Sequence, residues 1–301
     1  MSTLLHQAPL LAAPSTWQTS RYVIDLSAPK IMGIVNVTPD SFSDGATGLS
    51  HASGIERARV ALDAGADVLD IGAESTRPGA SPLSQEVEWA RLEPVLQEVL
   101  QWGVPVSVDT YKPAIMQRAL AMGADIINDV WALRWQADDG LSAEQVIGGH
   151  NTCGVCLMHM NGEPATMQVN PVEGELVDDV AAFLNQRAQA LLNLGVERSR
   201  VVLDPGIGFG KTVAQNFSLL GGQQALLDLG FAVLAGWSRK SSLGAVTGRD
   251  VGERLPASLA AAVLSVCHGA NLVRVHDVAA TKDALAVVMA ARSCATVRPT
   301  A

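Results

Sequence analysis

The sequence is short of charge, of cysteine and of any unbroken apolar run. Only 17% of its 301 residues are charged and 48% are hydrophobic, which excludes extended disorder and leaves enough apolar side chain for a large core. Positive charge is the scarcer sign, with 21 Lys and Arg against 30 Asp and Glu, a net charge of −9 and a pI near 5.1. Nucleic acid demands a basic footprint, so no such partner is expected, and any anionic ligand must be held by local groups. The longest apolar stretch, Leu255 to Val275, is broken by Ser258, Ser265, His268 and Asn271. It reads as a buried helix followed by a strand and not as a membrane span. Residues 1–20 lack a basic start and are interrupted by His6, Gln7, Pro9 and Pro14, so no signal peptide is expected.

The four cysteines are Cys153, Cys156, Cys267 and Cys294. The first two form a C-x-x-C, but a zinc site would want a second close pair or a His cluster. A redox motif would open a helix, whereas Val155, Cys156, Leu157 and Met158 read as a strand. Structural thiols in a reducing cytoplasm are expected. Also missing is a phosphate-binding fingerprint. The first strand runs into Gly33-Ile34-Val35-Asn36, which is not glycine-rich, and GIGFGKT at 206–212 misses the P-loop spacing by one residue, because position 205 is proline. Lys211 and Thr212 are then read as the start of a helix. No serine or cysteine nucleophile with a paired base stands out.

What is present is one unit repeated. Short apolar runs that end in a polar residue recur at 30–35, 67–71, 104–108, 125–128, 154–158, 200–203, 231–236 and 271–275. Between several of them lie stretches with apolar residues at three-to-four spacing, at 52–64, 85–102, 113–122 and 177–194. Gly65-Ala66-Asp67, Gly123-Ala124-Asp125 and Gly269-Ala270-Asn271 each close a helix and open a strand, with glycine as the helix cap. Eight strands alternating with helices predict a parallel sheet closed into a single-domain (β/α)8 TIM barrel over residues 21–295. Residues 1–20 are expected to be a flexible extension and 296–301 a tail. A doubly wound open sheet is the other arrangement considered.

In such a barrel the strand C-termini share one face. They present Asn36, Asp70 with Glu74, Asp109, Asn128, Met158 with His159, Asp204, Ser238 to Ser241, and Arg274 with His276. A lone Asp or Asn there could simply cap the next helix; eight positions together make an active site. Asp70 could face a ligand or support the barrel mouth, since its apolar run continues past it. The basic groups of the seventh and eighth strands suit phosphate, while Asp109, Asn128 and Asp204 suit a flat heterocycle with ring N–H and amino donors. After Asn36 comes a polar loop stiffened by Pro39 and loosened by Gly45 and Gly48, the pattern of a closing lid.

MGIVNVTPDSFSDG at 32–45, GAESTRPGA at 72–80, SVDTYKP at 107–113, IIND at 126–129, LDPGIGFGK at 203–211, SRKS at 238–241 and RVHD at 274–277 resemble, in order, the motifs of bacterial dihydropteroate synthases. The resemblance implies a transferase of folate synthesis that joins 4-aminobenzoate to 6-hydroxymethyl-7,8-dihydropterin diphosphate, a homodimer, and a need for Mg²⁺. It implies pterin contacts from Asp109, Asn128, Asp204, Lys240 and Arg274. Diphosphate contacts would come from Asn36, Arg77, Arg274 and His276, with Asn36 also on the metal. The 4-aminobenzoate site would be bordered by Thr76, Pro78, Phe209, Lys240 and Ser241, its carboxylate meeting Ser241 and the start of the helix it opens. Asp40 and Phe42 would arrive with the first loop and complete a catalytic set with Lys240 and Arg274. Two departures stand out. Tyr111 replaces a small hydroxyl residue, and Ser242 replaces a bulky apolar one, which predicts looser packing near the second substrate. A barrel that passes a methyl group from a pterin to a corrinoid shares the ring contacts but needs no diphosphate site. A non-catalytic paralogue should have lost site residues.

Overall fold

A computed structural model describes residues 14–37, 47–75, 81–137, 140–162 and 176–295. Ten strands run through them: β1 Thr16–Gln18, β2 Val23–Asp25, β3 Lys30–Asn36, β4 Val68–Gly72, β5 Val106–Asp109, β6 Ile126–Asp129, β7 Gly154–Met158, β8 Val201–Asp204, β9 Ala232–Ala235 and β10 Leu272–Val275. The helices are α1 Thr47–Asp63, α2 Gln85–Val99, α3 Pro113–Met122, α4 Ala143–Gly149, α5 Val177–Asn193, α6 Val213–Gly221, α7 Gln224–Leu227, α8 Ser241–Thr247, α9 Leu255–Cys267 and α10 Val278–Ala295. Strands β3 to β10 are all parallel and close into a barrel in chain order, β10 pairing β3. The predicted closed barrel is therefore the observed one, and the open sheet is excluded.

Local chemistry sets the element ends. Helix α3 starts on Pro113, whose missing N–H costs nothing in a first turn, and stops at Gly123 in the left-handed conformation, φ 104°. The other two Gly-Ala-Asp/Asn entries are also left-handed, with φ 93° at Gly65 and 99° at Gly269. Ser84 caps α2 by accepting from the Val87 N–H, with Glu86 and Glu88 in the first turn. Helix α1 begins five residues before the expected position, taking Gly48 into its first turn.

The apolar material lies in two shells. Outward-facing strand residues such as Leu69, Ile71, Val108 and Ile127 pack against the helices. A separate cluster fills the lower half of the barrel, with Met32, Val68, Ile126, Cys156, Val202 and Leu272 from the strands. Its floor is the antiparallel β1–β2 hairpin, which inserts Trp17, Ile24 and Leu26. This corrects the expectation of a flexible extension over 1–20. Residues 14–20 carry a strand, Trp17 is fully buried and donates its indole N–H to the Arg200 carbonyl at 3.0 Å, and Arg21 grips Asp125 with its Nε at 2.9 Å. A three-residue strand is too short to show a period, so only the tertiary contact reveals it. Residues 1–13 and 296–301 lie outside the described residues. Trp17→Phe, which keeps most of the apolar volume but leaves the Arg200 carbonyl without its donor, is expected to cost about 1–3 kcal/mol in urea unfolding. An unchanged midpoint would show that the indole bond contributes nothing.

Cys156 faces the barrel interior, where burial pushes its thiol well above the usual range. Buried Cys153 packs beside Arg200, while Cys267 and Cys294 are exposed, and all four are free thiols. Among the described residues no group of His, Cys, Asp and Glu could hold a metal, and no helix is long and apolar enough to cross a membrane.

Candidate active site

Paired residues on neighbouring parallel strands face the same side. The pairs Met32–Val68, Ile126–Gly154 and Cys156–Val202 lie in the apolar floor. Two residues further along each strand, the same face presents Asp70, Asn128 and Asp204, with Asp109 paired to both Gly72 and Asn128, and Met158 paired to Asp204. Arg274 pairs with Met32 on the same side. Alternation alone thus turns an apolar floor into a polar upper chamber at the C-terminal mouth.

Arg274 is the centre of that chamber. Its Nε donates to Asp70 Oδ2 at 2.6 Å and its Nη2 to Asp109 Oδ2 at 2.5 Å. Asn128 Nδ2 donates to the same Asp70 oxygen at 3.1 Å. Burial lowers the charge preference of the guanidinium, but Asp70 and Asp109 together outweigh it, so Arg274 stays cationic. Burial is also the main cause that raises Asp109, with Arg274 opposing and Asp70 adding to it. Asp204 is raised by burial too, although Gly206 N donates to it at 2.7 Å and Lys240 and Arg274 lower it. The chamber therefore holds more acid than the one guanidinium can neutralise. It is shaped for N–H donors on a ligand.

The loop after β8 forms one wall. It bends through left-handed glycines, and Gly206 admits no alternative, because a Cβ there would lie 1.8 Å from the His159 carbonyl. Lys211 does not begin a helix, as the sequence reading had it. Its Nζ turns back and donates to the carbonyls of His159, Gly206 and Phe209 at 3.1, 2.9 and 3.1 Å, and burial lowers it to about 7. Thr212 alone caps α6, in a reciprocal box with Gln215. Phe209 carries Lys240 Nζ over its ring at 4.2 Å. Burial pulls Lys240 down to about 8, against the attraction of Asp204.

At the mouth beside β9 and β10, Ser238 Oγ accepts from the His276 backbone N–H at 3.1 Å and lies 3.0 Å from His276 Nδ1. Arg239, at φ 60°, ties the two loops together through Asp277, with Nη2 to Oδ1 at 2.6 Å. Asn36 ends β3 facing inward beside Gly72, and its carbonyl accepts from Arg57 at 2.8 Å.

Not every strand-end residue belongs to the chamber. Asp70 supports the others, being fully buried with its Oδ2 shared by Arg274 and Asn128, while its Oδ1 has no hydrogen-bond partner among the described residues. Glu74 is turned away. It accepts from Tyr111 OH at 2.9 Å and from Leu83 N at 3.0 Å and pairs with Lys112, which also holds buried Glu88. This explains Tyr111, whose hydroxyl has work that a shorter residue could not reach. The capping role falls on Asp129, which accepts from Trp131 N and Leu133 N at 2.8 and 2.6 Å. His159 packs edge-on against Phe183 at 5.0 Å and is held neutral by burial, at about 3. Ser242 does not loosen its surroundings as expected. It is buried and its Oγ accepts from Asn216 Nδ2 at 2.9 Å. Asp40, Phe42, Thr76, Arg77 and Pro78 lie outside the described residues. The structure thus brings together Asp109, Asn128, Asp204, Phe209, Lys240, Ser241, Arg274 and His276 around one mouth. Lys211, the Glu74–Lys112–Glu88 network and Asn216 were not found by sequence reasoning, since all three depend on contacts between separate strand ends.

Fold and site together define a (β/α)8 enzyme of the pterin-binding class. The sequence model of the family described as "Pterin binding enzyme" matches residues 32–276. The dihydropteroate synthase of Neisseria meningitidis serogroup B is 49% identical over 281 residues, covering 91% of this chain and 97% of that protein. The crystal structure of the Burkholderia cenocepacia dihydropteroate synthase complexed with 7,8-dihydropteroate is 46% identical, with a TM-score of 0.83 over 95% of this chain and 99% of that one. The Xanthomonas albilineans enzyme with 4-aminobenzoic acid is 43% identical, with a TM-score of 0.85 over 93% and 98%. The chain belongs to the dihydropteroate synthase family.

Proposed function

We propose that the protein condenses 6-hydroxymethyl-7,8-dihydropterin diphosphate with 4-aminobenzoate, releasing diphosphate and 7,8-dihydropteroate. The observation that carries this reading is the chamber of Asp109, Asn128 and Asp204 set beside the Arg274, Lys240 and Ser238–His276 groups. A carboxylate that accepts ring N–H and amino donors, next to an amide that both donates and accepts, matches the edge of a pterin. Lys240 borders the same ring.

The diphosphate lies toward Arg274 and His276. With Nε and Nη2 on carboxylates, the guanidinium meets the ligand with its remaining edge and its flat face. The C–O bond breaks first, its electron pair leaving with the diphosphate. The positive charge left on the pterin methylene spreads into a ring surrounded by carboxylates, which stabilise it without reorganising. The amino nitrogen of 4-aminobenzoate then attacks and loses a proton. Asn36 presents a hard oxygen donor at the mouth and would hold a Mg²⁺ ion there. Bound there, the ion supplies neutralisation of the leaving group. A second copy of the chain completes a homodimer, for which exposed Val246, Val251 and Leu255 supply apolar surface.

The direct test is diphosphate release from the purified protein with both substrates and Mg²⁺. Turnover is expected, and Asp204→Ala should lose pterin binding by calorimetry. Absence of turnover with wild-type-like pterin binding in Asp204→Ala would overturn the reading. A second test concerns pH. Because Lys240 titrates near 8, its charge is lost as pH rises through that value, and kcat/KM for the pterin diphosphate should fall along a limb near pH 8. Lys240→Arg keeps its charge and should move that limb to higher pH; a limb that stays in place belongs to another group.

A further inference from the structure

Asn216, in the first turn of α6, is almost completely buried, yet it joins two separate parts of the mouth. Its Oδ1 accepts from Gly208 N at 2.8 Å. Its Nδ2 donates to the Thr212 carbonyl at 2.9 Å and to Ser242 Oγ at 2.9 Å. Gly208 precedes Phe209, the wall on which Lys240 rests, and a Cβ at 208 would come within 3.1 Å of the Lys240 stem. Ser242 follows Ser241. The next residue on α6, Phe217, packs its ring 5.2 Å from that of Trp237, immediately before Ser238. One turn of one helix therefore joins the Phe209 wall to the segment 237–242.

We propose that Asn216 is a positioning residue for the second substrate. Its carboxamide holds the Gly208–Phe209 wall and the Ser241–Ser242 segment in a single register, so the 4-aminobenzoate site depends on a residue that does not touch it. A carboxamide with its oxygen and both N–H groups engaged cannot release one partner cheaply, because the group left buried has no water to turn to. This also accounts for Ser242. An apolar residue there would leave that Asn216 N–H only the long contact to the Lys211 carbonyl at 3.4 Å, whereas the serine hydroxyl accepts it at 2.9 Å. The proposal rests on the reaction given above and concerns how its two binding sites are kept aligned.

The test uses the full chain in four forms: wild type, Ser242→Ala, Asn216→Ala and the double variant. Ser242→Ala should raise the KM for 4-aminobenzoate about fivefold, the worth of one buried bond, with kcat and the KM for pterin diphosphate within about twofold. Ser242→Thr, which keeps the hydroxyl, should restore the wild-type value. Asn216→Ala should raise the same KM further, and the double variant should be no worse than Asn216→Ala, since the bond removed second is already gone. Independently of turnover, hydrogen exchange at the Gly208 and Phe209 amides should quicken in Ser242→Ala, although the substitution lies in another element. An unchanged KM in Ser242→Ala, single effects that multiply in the double variant, or unaltered exchange at 208–209 would each overturn the proposal. If Asn216→Ala does not fold, the Ser242→Ala and Ser242→Thr comparison still decides. A wild-type protein without turnover would overturn the reaction and leave the exchange measurement to judge the clamp.

Discussion

Arg274→Met should lower turnover by about a thousandfold, the scale seen when a preorganised charge donor is removed from a transition state. Two losses add. The leaving diphosphate loses a neutralising cation, and Asp70 and Asp109 lose the group that holds both of them, at 2.6 and 2.5 Å. Asp70 is fully buried, so in the variant its carboxylate loses its cationic partner with no water to replace it. Burial has already raised Asp109, with Arg274 the main group holding it down, and the variant should therefore carry an extra bound proton at neutral pH. Single-turnover measurement at saturating substrate separates the two losses, because the chemical step falls even where the pterin is fully bound. A reduction of less than tenfold would show that the guanidinium serves only to pair the carboxylates.

The largest expected stability effect lies away from the reacting atoms. Lys112 stands between Glu74 and Glu88, both nearly excluded from solvent, and Thr110 Oγ1 donates to Glu88 at 2.7 Å. Replacing it with methionine preserves volume but leaves two acids facing each other without a cation, a change that costs about 3–5 kcal/mol when a buried pair is broken from one side. Glu88 is already raised by burial, with Lys112 pulling it down. A carboxyl whose folded pKa exceeds its unfolded one loses stability as pH rises through the folded value. The Lys112→Met deficit should consequently be larger at pH 8 than at pH 5, where Glu88 can take a proton. Urea midpoints at the two pH values check this, and a deficit of the same size at both would mean that the carboxylates find other partners. The network lies where β4 and β5 leave the barrel, so its loss should also disturb the Asp109 side of the chamber.

The eight barrel strands were legible because each is a short apolar run buried on both faces, and most observed strands fall within one or two residues of the expected ones. The β1–β2 hairpin was not, because three residues carry no readable period. For the site, Asp109, Asn128, Asp204 and Arg274 were legible as polar residues at strand ends, where a rigid element can present them. The division of labour among them was not. Nothing local separates Asn128, which joins the chamber, from its neighbour Asp129, which caps a turn. In the sequence Glu74 looks like a site residue and Lys211 like the start of a helix, and both are held in structural contacts in the fold.

By itself the sequence determined the number of units, the direction of the strands and the list of groups at one end of the barrel, because periodicity, glycine caps and side-chain chemistry are properties of a few neighbouring residues. Only the tertiary structure decided which groups pair: that Asp70 and Asp109 share one guanidinium, that Trp17 closes the barrel floor, and that Asn216 links the walls of the mouth. Those partners come from different strands, and barrel closure with its register sets which of them lie within hydrogen-bonding distance.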